Sequence, residues 1–364
     1  MPIFHKKNIA ILLSLFILNS CETSSNITDS YKLEKPPKDK IYFGAFPDFG
    51  ASEDNVSAKR VKDFENITQK KIAWAMFSDN WFKKGGINYP KDHIHTIYNT
   101  GTLPYIRFMP RSDEEQYKKE KKYSLQNIID GVFDKELHQW AKDAKEDNIP
   151  LLADFAVEAN GDWFSWSGVL NGGAKRDGYG NPNYPDGPER YRDAYRHIID
   201  IFRSEEVKNI TWFFHYNYES FPNEEWNQPN YYYPGDEYID WVGFSLYGAQ
   251  TIDEDWNDLK FSTQLKDFSD SFNKIKTKRP IALLEFGVTD GHPDGNKSAW
   301  FKDAFKTILK NKYIKFSAIN IWHENWENED ETMSRVRIDS SKEVENTFRQ
   351  LIKDTHFISN TNLR

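Results

Sequence analysis

Residues 190–217 read RYRDAYRHIIDIFRSEEVKNITWFFHYN. In the first half, Tyr191, Tyr195, Ile198, Ile199 and Phe202 recur at helical spacing and fall on one face. The second half, ITWFFHYN (210–217), is an almost unbroken apolar run of strand length. A one-faced helix leading into a strand apolar on both faces is half of a βαβ unit, because parallel strands are covered by helices above and below. The strand on the other side of that helix is PLLADFAVE (150–158). The same alternation extends in both directions. Further strands are expected at IYFGAF (41–46), KIAWAMF (71–77), LPYIRFM (103–109), IDWVGFSLY (239–247), PIALLEFG (280–287) and FSAINIW (316–322). Between them, ELHQWAKDAKE sets Leu137, Trp140, Ala141 and Ala144 on one helical face, and WFKDAFKTIL does so with Phe301, Ala304, Phe305, Ile308 and Leu309. Eight such units close most simply into a (β/α)8 TIM barrel. The rival is an open doubly wound sheet, but no glycine-rich phosphate loop follows the first strand. No internal repeat and no second linker interrupts the pattern, so one barrel domain is expected over 40–357.

The 364 residues carry a formal charge of -8, which argues against a nucleic-acid partner. Aromatics make up 16% of the chain, with 12 Trp, 19 Tyr and 26 Phe. That excess suits a surface that stacks on sugars, or else an aromatic-heavy core. The N-terminus sets basic residues before the apolar stretch IAILLSLFIL, too short to span a bilayer and of the length of a signal-peptide core. LNSC (18–21) then resembles a bacterial lipobox, with Cys21 as the lipidated residue; an ordinary secretory signal ending near Ser20 is the alternative. The expectation is a signal peptide over 1–20, a lipidated Cys21 with a flexible tether to residue 39, and a polar tail over 358–364. The protein would be exported, monomeric and attached to a bacterial membrane through that lipid alone. Cys21 is the sole cysteine, so no disulfide is expected.

In a barrel of this kind, working groups sit at the C-terminal ends of the strands. Those positions here hold Glu158, His215, Asn217, Tyr247, Glu285 and Trp322. Glu158 and Glu285 both end apolar runs, where an unpaired charge is costly and must have a partner or a use. A salt bridge at the barrel mouth would satisfy either one. Two carboxylates across a sugar-sized gap are the apparatus of glycoside hydrolysis, one protonated to release the leaving oxygen and one acting on the anomeric carbon or on water. Glu158, followed by Trp163, Phe164 and Trp166, is expected to be the protonated acid, and Glu285 the ionised partner with Tyr247 donating a hydrogen bond to it.

VEANGDWFSWSG (157–168) resembles the acid/base segment of glycoside hydrolase family 26, which runs HE-x-NG-x-W. The segments 191–217, YYPGDEYIDWVGFSLYG (232–248), RPIALLEFG (279–287) and AINIWHENW (318–326) continue the likeness in order, over roughly residues 40 to 355. The resemblance implies a (β/α)8 fold and a retaining double displacement, with Glu158 as acid/base, Glu285 as nucleophile and carboxyl groups about 5 to 5.5 Å apart. Sugar contacts are expected from Asn160, Trp163, Trp166, His215, Asn217, Tyr247 and Trp322, and no cofactor is expected. The expected substrate is a polysaccharide, with β-1,4-mannan leading and mixed-linkage β-glucan or β-1,3-xylan as alternatives. The chain departs from the family where DFAVE stands in place of an RPFHE-like run, with Asp154 for the Arg and Val157 for the His. This change bears on sugar choice more than on mechanism. A non-catalytic glycan-binding lipoprotein is the rival of another class, and retention of both glutamates weighs against it.

Other features carry less. Asp177, Asn181, Asn183 and Asp186 lie in a turn-rich insertion without the spacing of an EF-hand, so a substrate-facing loop is expected there. His93 and His95 alternate without an evident third ligand, and no metal is expected.

Overall fold

The computed structural model describes residues 31–364 apart from 84, 258 and 329. The expected signal peptide, Cys21 and the first part of the tether lie outside the described residues. Strands β1 (Ile41–Phe46), β2 (Trp74–Asn80), β3 (Leu103–Met109), β4 (Leu151–Phe155), β5 (Ile210–Asn217), β6 (Trp241–Tyr247), β7 (Ile281–Gly287) and β8 (Ala318–Trp322) pair in parallel, each with the next. β8 returns to β1 in register from Tyr42↔Ala318 to Phe46↔Trp322, which closes the (β/α)8 barrel. Around it lie α1 (Ala58–Thr68), α2 (Lys91–Tyr98), α3 (Leu125–Ile129), α4 (Asp134–Asp147), α5 (Asp186–Ser204), α6 (Pro229–Tyr232), α7 (Phe261–Phe272), α8 (Lys297–Lys310) and α9 (Lys342–Ile352). A short antiparallel hairpin of β9 (Asn325–Glu327) and β10 (Met333–Arg335) follows β8 at the barrel mouth, and β11 (Phe357–Ile358) pairs with the start of β1. Among the described residues, no helix is long and apolar enough to cross a membrane.

Two strands differ from the sequence reading at their C-terminal ends. β2 runs three residues further than expected, through Ser78, Asp79 and Asn80. These polar side chains sit at the strand's C-terminal end, where they serve the mouth: Arg111 Nε donates to Asn80 Oδ1 at 2.8 Å. β4 stops at Phe155, because Ala156 takes a left-handed conformation (φ 51°) that ends strand geometry.

Much of the aromatic excess is core. Phe108, Trp140, Phe202 and Trp212 form a continuous packing between barrel and helices, with ring centroids 4.8, 5.3 and 5.2 Å apart in that order. Phe301, Phe348, Phe305 and Phe357 do the same near α8 and α9, at 5.3, 5.5 and 5.2 Å. Each such ring taken fully out of water contributes about 2–3 kcal/mol.

The two flanks read as polar are in part structural. The Leu33 amide donates to Thr211 Oγ1 at 2.8 Å, and Trp241 Nε1 donates to the Leu33 carbonyl at 3.1 Å. The Lys32 ammonium holds Asp240, and Glu34 N donates to the Asn362 carbonyl at 2.9 Å. Leu33 is 4% exposed and bridges to Leu363, so residues 32–34 and 362–364 together close the N-terminal end of the barrel. One apolar side chain in a polar run has no periodicity to announce it. Truncating Leu33 to Ala is expected to cost about 2–4 kcal/mol, read as a lower thermal midpoint in calorimetry, and a chain starting at residue 37 should lose more.

Candidate active site

The strand ends open into a cleft of about 830 Å³ lined by Glu53, Arg107, Glu158, Trp163, Asn217, Tyr247, Glu285 and Trp322. Glu285 comes from β7 at a place where the sheet is irregular on both sides. The register with β6 shifts between Phe244 and Ser245, and that with β8 between Leu283 and Phe286. Such irregularities re-aim side chains, and here the one re-aimed is a carboxylate that points into the cleft. Glu158 is held on the turn after β4 in a left-handed conformation (φ 56°), its amide donating to the His215 carbonyl at 3.0 Å. A non-glycine residue with that φ is strained unless its surroundings fix it, and such strain gathers at functional sites. Carboxylate oxygens of Glu158 and Glu285 approach within 4.8 Å of one another, and a His215 ring nitrogen lies within the same distance of both.

The residues after Glu158 serve it in different ways. Trp163 Nε1 donates to Glu158 Oε2 at 3.1 Å, and its indole crosses Gly161 so closely that a Cβ there would lie 2.5 Å from the ring. Trp163 lines the cleft, as do Asn217, Tyr247 and Trp322. The Tyr247 hydroxyl donates to Glu285 Oε2 at 2.9 Å. Trp322 stacks on Phe46 with centroids 4.0 Å apart.

Three residues expected to touch sugar do not reach the cleft. Asn160 is buried; its side-chain amide donates to the Asn217 carbonyl at 2.8 Å and its Oδ1 accepts from Asn217 N at 2.8 Å, which pins the turn after β4 to the end of β5. Trp166 is also buried, donating to the Val157 carbonyl at 2.7 Å and stacking under Phe164 at 4.5 Å. His215 lies beneath the cleft floor, with Nδ1 2.9 Å from Asp154 Oδ2 and Nε2 2.9 Å from Ser245 Oγ. These three shape the site from behind. Val157 is wholly buried as well, so the position before Glu158 faces the core rather than a ligand.

The sequence reading missed Arg107, and a guanidinium inside the apolar run LPYIRFM was the available signal. Arg107 is 2% exposed, pairs with Glu53 through Nη1 and lies 3.2 Å from Glu285 Oε1 through Nη2. Its guanidinium also sits 5.0 Å from the Trp322 ring centre. Glu53, Glu324 and Trp326 reach the cleft from loops and from the β9–β10 hairpin, where composition gives no warning.

The charges decide the protons. Burial pushes the Glu285 carboxyl up to about 7, against the opposing pull of Arg107, with the Glu158 carboxylate adding to the rise. Burial beside another acid thus opposes ionisation of Glu285, while Arg107 favours it. Burial, with Glu53 and Asp48 nearby, likewise pushes Glu324 up to about 9. Burial raises the Tyr247 phenol too, so it is a hydrogen-bond donor to Glu285 at neutral pH.

The close approach of Glu158, His215 and Glu285 could hold a cation only if His215 gave up one of its two hydrogen bonds, to Asp154 or to Ser245. His95 Nε2 is engaged 2.8 Å from Asp147, and His93 packs edge-on against Phe77.

Comparison with known proteins places this geometry. The model of glycosyl hydrolase family 26 matches residues 60–266. Endoglucanase H of Acetivibrio thermocellus is 26% identical over 303 residues, 81% of this chain and 29% of that protein. A mannan endo-1,4-beta-mannosidase of Bifidobacterium adolescentis is 27% identical over 167 residues, 43% of this chain and 15% of that protein. The chain thus spans less than a third of the length of either relative. Among solved structures, the catalytic domain of an endo-beta-1,4-mannanase from Bacillus sp. JAMB-750 superposes with a TM-score of 0.59 at 17% identity, covering 88% of this chain and 87% of that one. An endo-beta-1,4-mannanase from Cellulomonas fimi gives 0.59 at 18% identity, over 88% and 72%. Those likenesses are of fold. With a family model matched over more than half its length on a closed barrel, the chain belongs to glycosyl hydrolase family 26.

Proposed function

We propose that this protein is a retaining endo-β-glycanase, with Glu158 as acid/base and Glu285 as nucleophile. The observation that carries this reading is the separation of the two carboxylates, within 4.8 Å. Retaining enzymes hold theirs about 5–5.5 Å apart, whereas inverting enzymes need about 6.5–9.5 Å to admit a water. The reading has Glu285 Oε attack the anomeric carbon while Glu158 gives its proton to the departing oxygen. Water then enters, Glu158 takes its proton, and the glycosyl ester to Glu285 is released. Tyr247 and Arg107 are arranged to stabilise the Glu285 carboxylate when the sugar leaves. Cleavage within a chain is supported by the aromatic side chains that line the cleft, Trp163, Phe164 and Phe221, which pack on one another, and Trp322 and Trp326.

The substrate proposed first is β-1,4-mannan, in line with the resemblance and the mannanase neighbours. β-Glucan is the second reading, favoured by two observations. The relative that aligns over 81% of the chain is named an endoglucanase, and the position before Glu158 is a buried valine rather than a sugar-facing histidine. Reducing-end release from glucomannan, galactomannan, barley β-glucan, β-1,3-xylan and laminarin tests both. Activity confined to mannans supports the first and activity on barley β-glucan the second. Glycan binding without release across the panel would leave only a non-catalytic role.

On the substrate that is cleaved, Glu285→Gln should lower kcat by about 10⁴-fold or more, and Glu158→Gln by about 10²–10⁴-fold on a substrate with a poor leaving group. Wild-type activity in the Glu285→Gln variant would rule out the assignment of the nucleophile. The active form needs Glu285 ionised and Glu158 protonated, so one proton must reside on Glu158 of the pair. Because the Glu285 carboxyl lies near 7 in the free protein, kcat/KM should fall as pH drops below about 7. Replacing Arg107 by Gln removes a charge that pulls Glu285 down, so the acid limb should move to higher pH; a limb left in place would show that Arg107 does not act on that carboxyl.

A further inference from the structure

Beneath Glu285 lies a buried polar chain that the proposed mechanism does not use. The Tyr105 hydroxyl on β3 donates to Asp154 Oδ2 on β4 at 3.0 Å. The same oxygen lies 2.9 Å from His215 Nδ1 on β5, and His215 Nε2 lies 2.9 Å from Ser245 Oγ on β6 and 3.9 Å from Glu285 Oε1 on β7. The side chains of Asp154 and His215 are 0% exposed. Four neighbouring strands thus each contribute one polar group to a line that ends at the nucleophile's carboxylate. Asp154 Oδ1 has no hydrogen-bond partner, and neither has Glu285 Oε1, whose surroundings are Arg107 and the imidazole.

A buried pair of this kind is costly to build, and removing one partner strands the other. A stability role alone does not account for it, since apolar residues of like volume would fill the space at no such cost. What the pair supplies is a ring with a fixed orientation. Asp154 accepts a hydrogen bond from Nδ1–H, so Nε2 is turned toward Ser245 and Glu285. Nδ1 thus faces Asp154, and Nε2 faces both Ser245 Oγ and Glu285.

We propose that His215, oriented by Asp154, is a positioning residue for Glu285: an imidazolium under the cleft floor that holds the nucleophile's carboxylate in its ionised form. This rests on the reading of Glu285 as nucleophile. The other charged or titratable groups around Glu285 are Arg107 and Tyr247 with it, and Glu158 and Glu53 against it. His215 and Arg107 both approach Glu285 Oε1.

The test is the pH dependence of kcat/KM for Asp154→Asn and His215→Gln on whichever polysaccharide the wild type cleaves. Both variants keep a polar group of similar size, and circular dichroism with a thermal midpoint checks that they fold. The expected result is an acid limb moved up by about one pH unit in both variants, with kcat at pH 6 reduced about tenfold, KM little changed, and activity partly recovered at pH 8. Asp154→Glu should restore the limb in part. A structural role would lower activity at all pH values without moving the limb, and that outcome overturns the proposal. Should neither variant fold, the wild-type protein labelled with ¹⁵N at histidine decides the matter. Imidazolium shifts for one buried ring at pH 7 are expected, and a neutral ring at every buried histidine overturns the inference. The Glu285→Gln control separates the two readings. If that variant is inactive and the limb stays put, only the role of His215 falls; if it is active, the nucleophile assignment falls first.

Discussion

A single buried guanidinium organises the mouth of this barrel. Arg107 rises from the end of β3 and must find anionic partners, because an unpaired cation at that depth would cost several kcal/mol. It takes Glu53 from the loop after β1 and Glu285 from β7, and it lies against Trp322 from β8. The loop after β1, two strands and the cleft's aromatic floor are thus tied to one side chain. The loop accepts strain to make the contact, since Glu53 adopts φ 58° and is kept there by its carbonyl accepting from Ser78 N at 2.9 Å. Around this cation stand more carboxyl groups than it can neutralise: Glu53, Glu158, Glu285 and Glu324 all line the cleft. Crowded acids in a poorly hydrated place cannot all be ionised, so some keep protons at neutral pH. Glu285 and Glu324 are the ones pushed up, to about 7 and about 9. Arg107 and the Tyr247 hydroxyl are the groups that offset this crowding at Glu285.

The barrel was legible because its strands are buried on both faces and so read as apolar runs. Its helices bury one stripe each and read at helical period. The two glutamates stood out for a related reason, as charges closing such runs. The residues behind them were harder. Asn160, Trp166 and His215 are polar or amphipathic residues next to the carboxylates, and their chemistry suits a sugar as well as it suits a scaffold. Only burial separates the two roles, and burial follows from tertiary packing that no local pattern encodes. Arg107 gave a readable signal as a charge within an apolar run. Glu53 and Trp326 gave none, since each reaches the cleft through a loop or hairpin conformation.

The turn after β4 explains why the reading of DFAVE as continuous strand led astray. Strand alternation would send successive side chains to opposite faces. Ala156 and Glu158 instead take left-handed conformations, at φ 51° and 56°, so the alternation breaks after Phe155. Val157 turns into the core while Glu158 turns to the cleft. The valine there is a packing residue, whose carbonyl accepts from the Trp166 indole and anchors the aromatic loop. Polar groups that do face the cleft lie elsewhere. Glu324, kept neutral by its surroundings, can both donate and accept. A neutral carboxyl tolerates either orientation of a hydroxyl, because it can serve as donor or acceptor, whereas a histidine fixed in one tautomer offers one role per nitrogen. Glu53, Arg107, Trp322 and Glu324 thus bring charge and an aromatic surface to the cleft from the loop after β1, from β3 and from the end of β8, away from the segment that carries the family resemblance most visibly.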